Sequence, residues 1–161
     1  MTWSTFEHID LRDIDAILRN LHSLLAPDGV FFLQISPLFH APQGSHLGRF
    51  QLSPWAHLLW SREQLEQAVM AFQGELPTDE IEENFHARDF IGYKRFVLDE
   101  YDKLNRLTGP ALIARLAANG FEVVRHDYGK VRIEPPPELL ARYARDDLLN
   151  EEILLLLRKS A

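Results

Sequence analysis

Apolar residues between positions 10 and 25 fall on a single stripe. Leu11, Ile14, Ile17, Leu18, Leu21, Leu24 and Leu25 recur at steps of three and four residues, the spacing of an amphipathic helix. Asp10 stands where a carboxylate accepts the first free amide N–H groups, and Asp13 adds negative charge to the first turn. Pro27, Asp28 and Gly29 then stop the helix and turn the chain. The period changes at once, because Val30 to Ile35 reads Val-Phe-Phe-Leu-Gln-Ile. So continuous an apolar run predicts a central strand covered on both faces, as in parallel sheets.

From 36 to 106 the pattern loosens. Residues 40–46 are turn-rich, and 53–60 are aromatic and half-apolar. Ser61 caps a predicted helix running to Phe72, with Glu63 and Glu66 in its first turns, and a second helix is expected over 90–104. The acidic run at 79–83 reads as solvated. A stretch of this length is too long for a plain connection, so it is expected to be an inserted helical cap. Regularity returns at Thr108, an N-cap residue, with Pro110 in the first turn and Asn119-Gly120 at the helix end. A strand over 121–128, a proline break at 135–137, a short helix over 138–149 and a last strand over 152–158 complete an α/β reading.

The length of 161 residues favours one domain. At 46% hydrophobic and 25% charged the composition is that of an ordinary globular chain. The net charge is -7 and the 17 Lys and Arg residues are scattered. That argues against a nucleic-acid surface, which needs a basic stripe. With no cysteine, disulfides, thiolate zinc sites and cysteine nucleophiles are excluded. No basic, apolar leader opens the chain, and the longest apolar run, 153–157, is too short to span a bilayer. A cytoplasmic protein without a membrane partner is expected.

Three segments in order carry a resemblance. Phe6-Glu7-His8-Ile9 precedes the amphipathic helix. Leu24-Leu25-Ala26-Pro27-Asp28-Gly29-Val30-Phe31-Phe32 follows it, and the last segment runs from Leu107-Thr108 to Gly120-Phe121-Glu122-Val123-Val124. Together they resemble the C-terminal half of class I S-adenosylmethionine-dependent methyltransferases, from the fourth strand onward. The resemblance implies a strand over 2–6, a parallel crossover into 30–35, and a last strand inserted antiparallel between 30–35 and 121–128. The implied fold is a partial doubly wound, Rossmann-like sheet with the strand at 2–6 on an edge and the 36–106 cap on the acceptor side. The implied activity is methyl transfer from S-adenosylmethionine to an oxygen or nitrogen of a small-molecule acceptor. The family's glycine-rich cofactor loop and ribose-binding acid have no counterpart in these residues. The cofactor is therefore expected to bind only if the missing N-terminal half is supplied by a longer chain or a partner. A non-catalytic methyltransferase-like module, binding a partner or a second copy through the exposed edge strand, is the alternative.

Site residues follow from the same alignment of motifs. Glu7 and His8 fall beside the transferred methyl group, where His8 would orient or deprotonate an acceptor hydroxyl. Ser4 and Thr5 fall on the cofactor side of the same strand end. His46, Trp55 and His57, in Gly44-Ser45-His46-Leu47 and Pro54-Trp55-Ala56-His57-Leu58-Leu59, are expected to line the acceptor pocket. No metal is expected. Some quinone-pathway members of the family bind a divalent ion through a Glu-His pair and a further Glu three positions earlier, and here that position is Ser4. His40, His46 and His57 are also too irregularly spaced for a structural zinc site. Tyr93, Lys94 and Arg95 read as a solvated helix face.

Overall fold

The computed structural model describes residues 1–75 and 89–160, so the acidic run at 79–83 lies outside the described residues. Strand β1 is Thr2–Trp3 and is followed by a 3₁₀ turn, Phe6–His8. Helix α1, Leu11–Leu24, starts on Asp10, whose carboxylate accepts from the Arg12 amide at 2.9 Å. Strand β2, Val30–Ile35, pairs parallel with β1. The cap follows, with a 3₁₀ turn at Leu47–Phe50 and helices α2 Ala56–Leu59, α3 Arg62–Ala71 and α4 Phe90–Lys103. Helix α5, Gly109–Ala118, leads to β3, Phe121–Lys130, then short helices α6 Pro137–Leu140 and α7 Arg145–Leu149, and β4, Asn150–Lys159.

The sheet order is β1-β2-β4-β3, with β4 antiparallel to both neighbours. The last strand therefore lies between β2 and β3, as expected. Pairing puts Phe31, Leu33 and Ile35 opposite Leu157, Leu155 and Ile153. These residues share one face and bury it against Ile14 and Leu18 of α1 and Leu112 and Leu116 of α5. The other face is less covered than the apolar run of β2 implied. Phe32, Leu154 and Leu156 are half-buried there and line a shallow groove with Arg125 and Asp127.

A second core fills the cap, with Leu65 and Val69 of α3 against Tyr93, Val97 and Leu98 of α4. Leu139 and Leu148 join this cluster. Each is carried by its own short helix, α6 and α7, where a single helix over 138–149 was expected; both leucines have to reach the cap core.

Three further expectations shift. The strand expected over 2–6 ends at Trp3, because Phe6 turns inward, 1% exposed, to join the sheet core. Strand β3 runs on to Lys130, and a register shift between Val123 and Arg125 breaks its alternation and leaves Val124 50% exposed. Tyr93 and Lys94 are not solvated: Tyr93 is in the cap core, and the Lys94 ammonium donates to the carbonyls of Met70 (3.0 Å) and Phe72 (2.6 Å) at the end of α3. Among the described residues no helix is long and apolar enough to cross a membrane.

Candidate functional site

Where β1 ends, Ser4 takes a left-handed conformation (φ 43°) and its amide donates to Gln34, both to the main-chain oxygen (3.1 Å) and to Oε1 (2.9 Å). Its hydroxyl lies 3.0 Å from Gln34 Oε1 and 3.1 Å from the Ser36 carbonyl. Asn105, just beyond α4, pins the turn that follows. Its amide donates to the Glu7 carbonyl at 2.9 Å, and Nδ2 donates to the carbonyls of Phe6 and Ile9. Asn105 thus ties the end of the cap to the end of the parallel strand, the place where ligands bind in open α/β sheets.

The turn presents Glu7 and His8, and the loop from β2 brings His46 up to them. One donor atom from each of the three lies within 4.8 Å of the other two. Glu7 is only 4% exposed, and among the described residues neither carboxylate oxygen has a hydrogen-bond partner. Burial pushes its pKa up to about 7, and its own main-chain N–H nearby opposes the shift. His46 sits in a left-handed conformation (φ 60°), with Nε2 buried and without a partner. Burial lowers its pKa to about 4, with smaller contributions from His8 and Arg49. The His8 ring is 36% exposed, 5.2 Å centroid to centroid from His46, and its Nδ1 lies 3.8 Å from Glu100 Oε2. Its pKa is lowered by burial, and Glu100 opposes the shift.

A cavity of about 190 Å³ opens beside these rings. His8, His46, Arg49 and Glu100 form its polar wall, and Phe96, Val97, Tyr101 and Leu104 of the α4 segment its other side. The volume is below the ~300 Å³ of a typical drug-sized site, which suits one small ring or a fragment of a larger ligand. Arg49 holds its side of the wall by donating to the Tyr93 hydroxyl and, at 3.1 Å, to the His46 carbonyl.

Comparison with protein-family models, curated proteins and solved structures finds no match.

Of the residues expected at the site, the structure brings together Glu7, His8 and His46. Trp55 and His57 lie elsewhere, in the core of the cap. Trp55 is 2% exposed with its indole N–H donated to the His40 carbonyl at 3.1 Å, and His57 donates from Nε2 to the Phe39 carbonyl at 2.7 Å. Each commits a ring N–H to a carbonyl of the loop that precedes α2, and neither lines the cavity. Ser4 spends its hydroxyl bracing β1 against β2, Thr5 is exposed, and neither lines the cavity. His40, apart from the triad, packs against Phe39 and Tyr143. Arg49, Glu100 and Asn105 carried no signal in the sequence. Each is an ordinary polar residue in a helical or turn segment, and only the docking of the cap on the sheet gives it a role.

Proposed function

We propose that this chain is the acceptor-binding part of an S-adenosylmethionine-dependent methyltransferase acting on an oxygen or nitrogen of a small molecule. The observation that carries the reading is the insertion of β4 antiparallel between β2 and β3, in a sheet whose other end is the parallel β1-α1-β2 crossover. That arrangement is the one the sequence resemblance implies. The position of Glu7 and His8 supports it further, since they stand just past the parallel strand and the cavity runs from His8 to the cap.

Fit to the cofactor is partial. S-adenosylmethionine would supply the methyl group, but a hydroxyl engaged as Ser4's is, together with exposed Thr5, does not make a nucleoside pocket. The cofactor's binding surface would have to come from additional sequence or a partner. The chain's own contribution is to enclose the acceptor between the Glu7-His8 turn and α4 and to hold it in line, which for a displacement at a sulfonium carbon is most of the catalytic task.

Calorimetric titration with S-adenosylhomocysteine tests the proposal. The expected result is binding by a form that includes upstream coding sequence and none by the 161-residue chain alone. Absence of binding by both removes the methyltransferase reading. It would leave the alternative of a partner-binding module, which the single-sided pairing of β1 and the half-buried face of Phe32, Leu154 and Leu156 favour.

A further inference from the structure

Glu7 poses a problem that the surrounding protein does not solve. Both of its oxygens are buried without a hydrogen-bond partner among the described residues, and a buried charge persists only when paired or bound to a metal. His46 repeats the problem with Nε2. One ligand atom from each of Glu7, His46 and His8 lies within 4.8 Å of the other two. An ion with zinc-like bond lengths of about 2.0–2.2 Å holds its ligand atoms roughly 3–4 Å apart, so small side-chain rotations close the three onto one centre.

We propose that Glu7, His8 and His46 bind a divalent transition-metal ion of the zinc(II) type, with its remaining coordination positions open to the cavity beside α4. Two imidazoles and one carboxylate suit zinc and its first-row neighbours, whereas magnesium and calcium favour all-oxygen sites. Three protein ligands leave room for a further donor, the pattern of sites that engage a ligand rather than only brace a fold. Glu100, facing His8 Nδ1, is placed to orient that ring from outside the ligand set.

The loop that carries His46 is set firmly. The His46 amide donates to the Gln43 carbonyl at 3.1 Å and the Leu47 amide to Ser45 Oγ at 3.2 Å. Gly44 sits so close to the main chain at Leu38 and Phe39 that a Cβ would lie 2.2 Å from either carbonyl oxygen. A ligand arriving from 38 residues away in sequence is invisible to ligand-spacing rules. This is why the Glu-His pair, with Ser4 at the earlier position, carried no expectation of a metal. The open positions would take an oxygen donor of whatever occupies the cavity. On the methyl-transfer reading that donor is the acceptor, but metal binding itself does not depend on that reading.

Cobalt(II) titration of the chelator-stripped chain, followed by visible absorption and by zinc competition, tests the site. One equivalent should bind and be displaced by zinc. Glu7→Gln and His46→Asn, both close in shape to the native residues, should abolish saturation. Glu100→Gln should weaken it about 10-fold, and His126→Asn, on the exposed surface of β3, should leave it unchanged. In the unmodified chain zinc should shift the ring resonances of His8 and His46 and not those of His57. Failure of cobalt and zinc to saturate, saturation that survives Glu7→Gln and His46→Asn, or shifts confined to other histidines overturns the proposal. No cofactor is present in these measurements, so they succeed or fail independently of S-adenosylhomocysteine binding.

Discussion

The His57 ring packs edge-on against Phe39, at 5.1 Å between centroids, and its Nε2–H is committed to the Phe39 carbonyl. Burial lowers its pKa to about 4; the hydrogen bond to Phe39 opposes this, and His40 and Arg106 add to the lowering. A histidine whose folded pKa lies below its unfolded value of ~6.5 binds its proton more readily in the unfolded chain. Its effect on stability is absent above pH ~6.5, and stability is lost as the pH falls from there towards the folded value of about 4. The buried His46 titrates in the same direction. Ring resonances should therefore show His57 neutral well below pH 6, and denaturant unfolding should show the two histidines lowering stability from pH 6.5 to 4, opposed in part by Glu7, whose raised pKa favours the folded chain as the pH falls. A His57 midpoint near 6.5 would refute the assignment. In the sequence His46 and His57 looked alike, both histidines in aromatic, turn-rich segments. What separates them is the side of the cap core each ring faces, and that depends on packing.

Helix α3 begins with a reciprocal cap. The Ser61 hydroxyl accepts from the Gln64 amide at 3.3 Å, while Gln64 Oε1 accepts from the Ser61 amide at 2.8 Å. Its other end is closed by Lys94, reaching across from α4. Since caps of this kind contribute ~1 kcal/mol, Ser61→Ala should lower stability by about that amount in urea unfolding. No measurable change would mean that tertiary packing alone holds the start of α3. Local signals of this sort were legible. Asp10, Ser61 and Thr108 were all read as N-caps, and each accepts a backbone N–H in the structure. Gly120, with φ 84°, ends α5 where glycine alone is comfortable. Legibility failed where distant contacts intervene. The strand expected over 2–6 gives way to a turn once Asn105 captures the carbonyls of Phe6, Glu7 and Ile9.

At the scale of the molecule, β4 is the central element. It is hydrogen-bonded on both sides, and Ile153, Leu155 and Leu157 are fully buried. Strand β1 has two residues and, among the described residues, one partner. Amide exchange should therefore be slowest in β4 and fast in β1, because local opening is easiest where few buried contacts and few paired amides must be broken. Equal protection in the two strands would show that β1 is covered by something else, such as a second copy. The sequence by itself determined the elements whose cause is local: the amphipathic stripe of α1, the apolar run of β2, the caps, the glycine at the end of α5 and the α/β class. These depend on periodicity and on backbone groups a few residues apart, both written directly into the order of side chains. The tertiary structure alone decided which residues became a site. Glu7 and His8 were legible as a pair, but their junction with His46, the wall formed by Arg49 and Glu100, and the withdrawal of Trp55 and His57 into the cap core all arise from docking the cap against the sheet. Contacts between residues tens of positions apart leave no period in the sequence, so no local pattern could announce them.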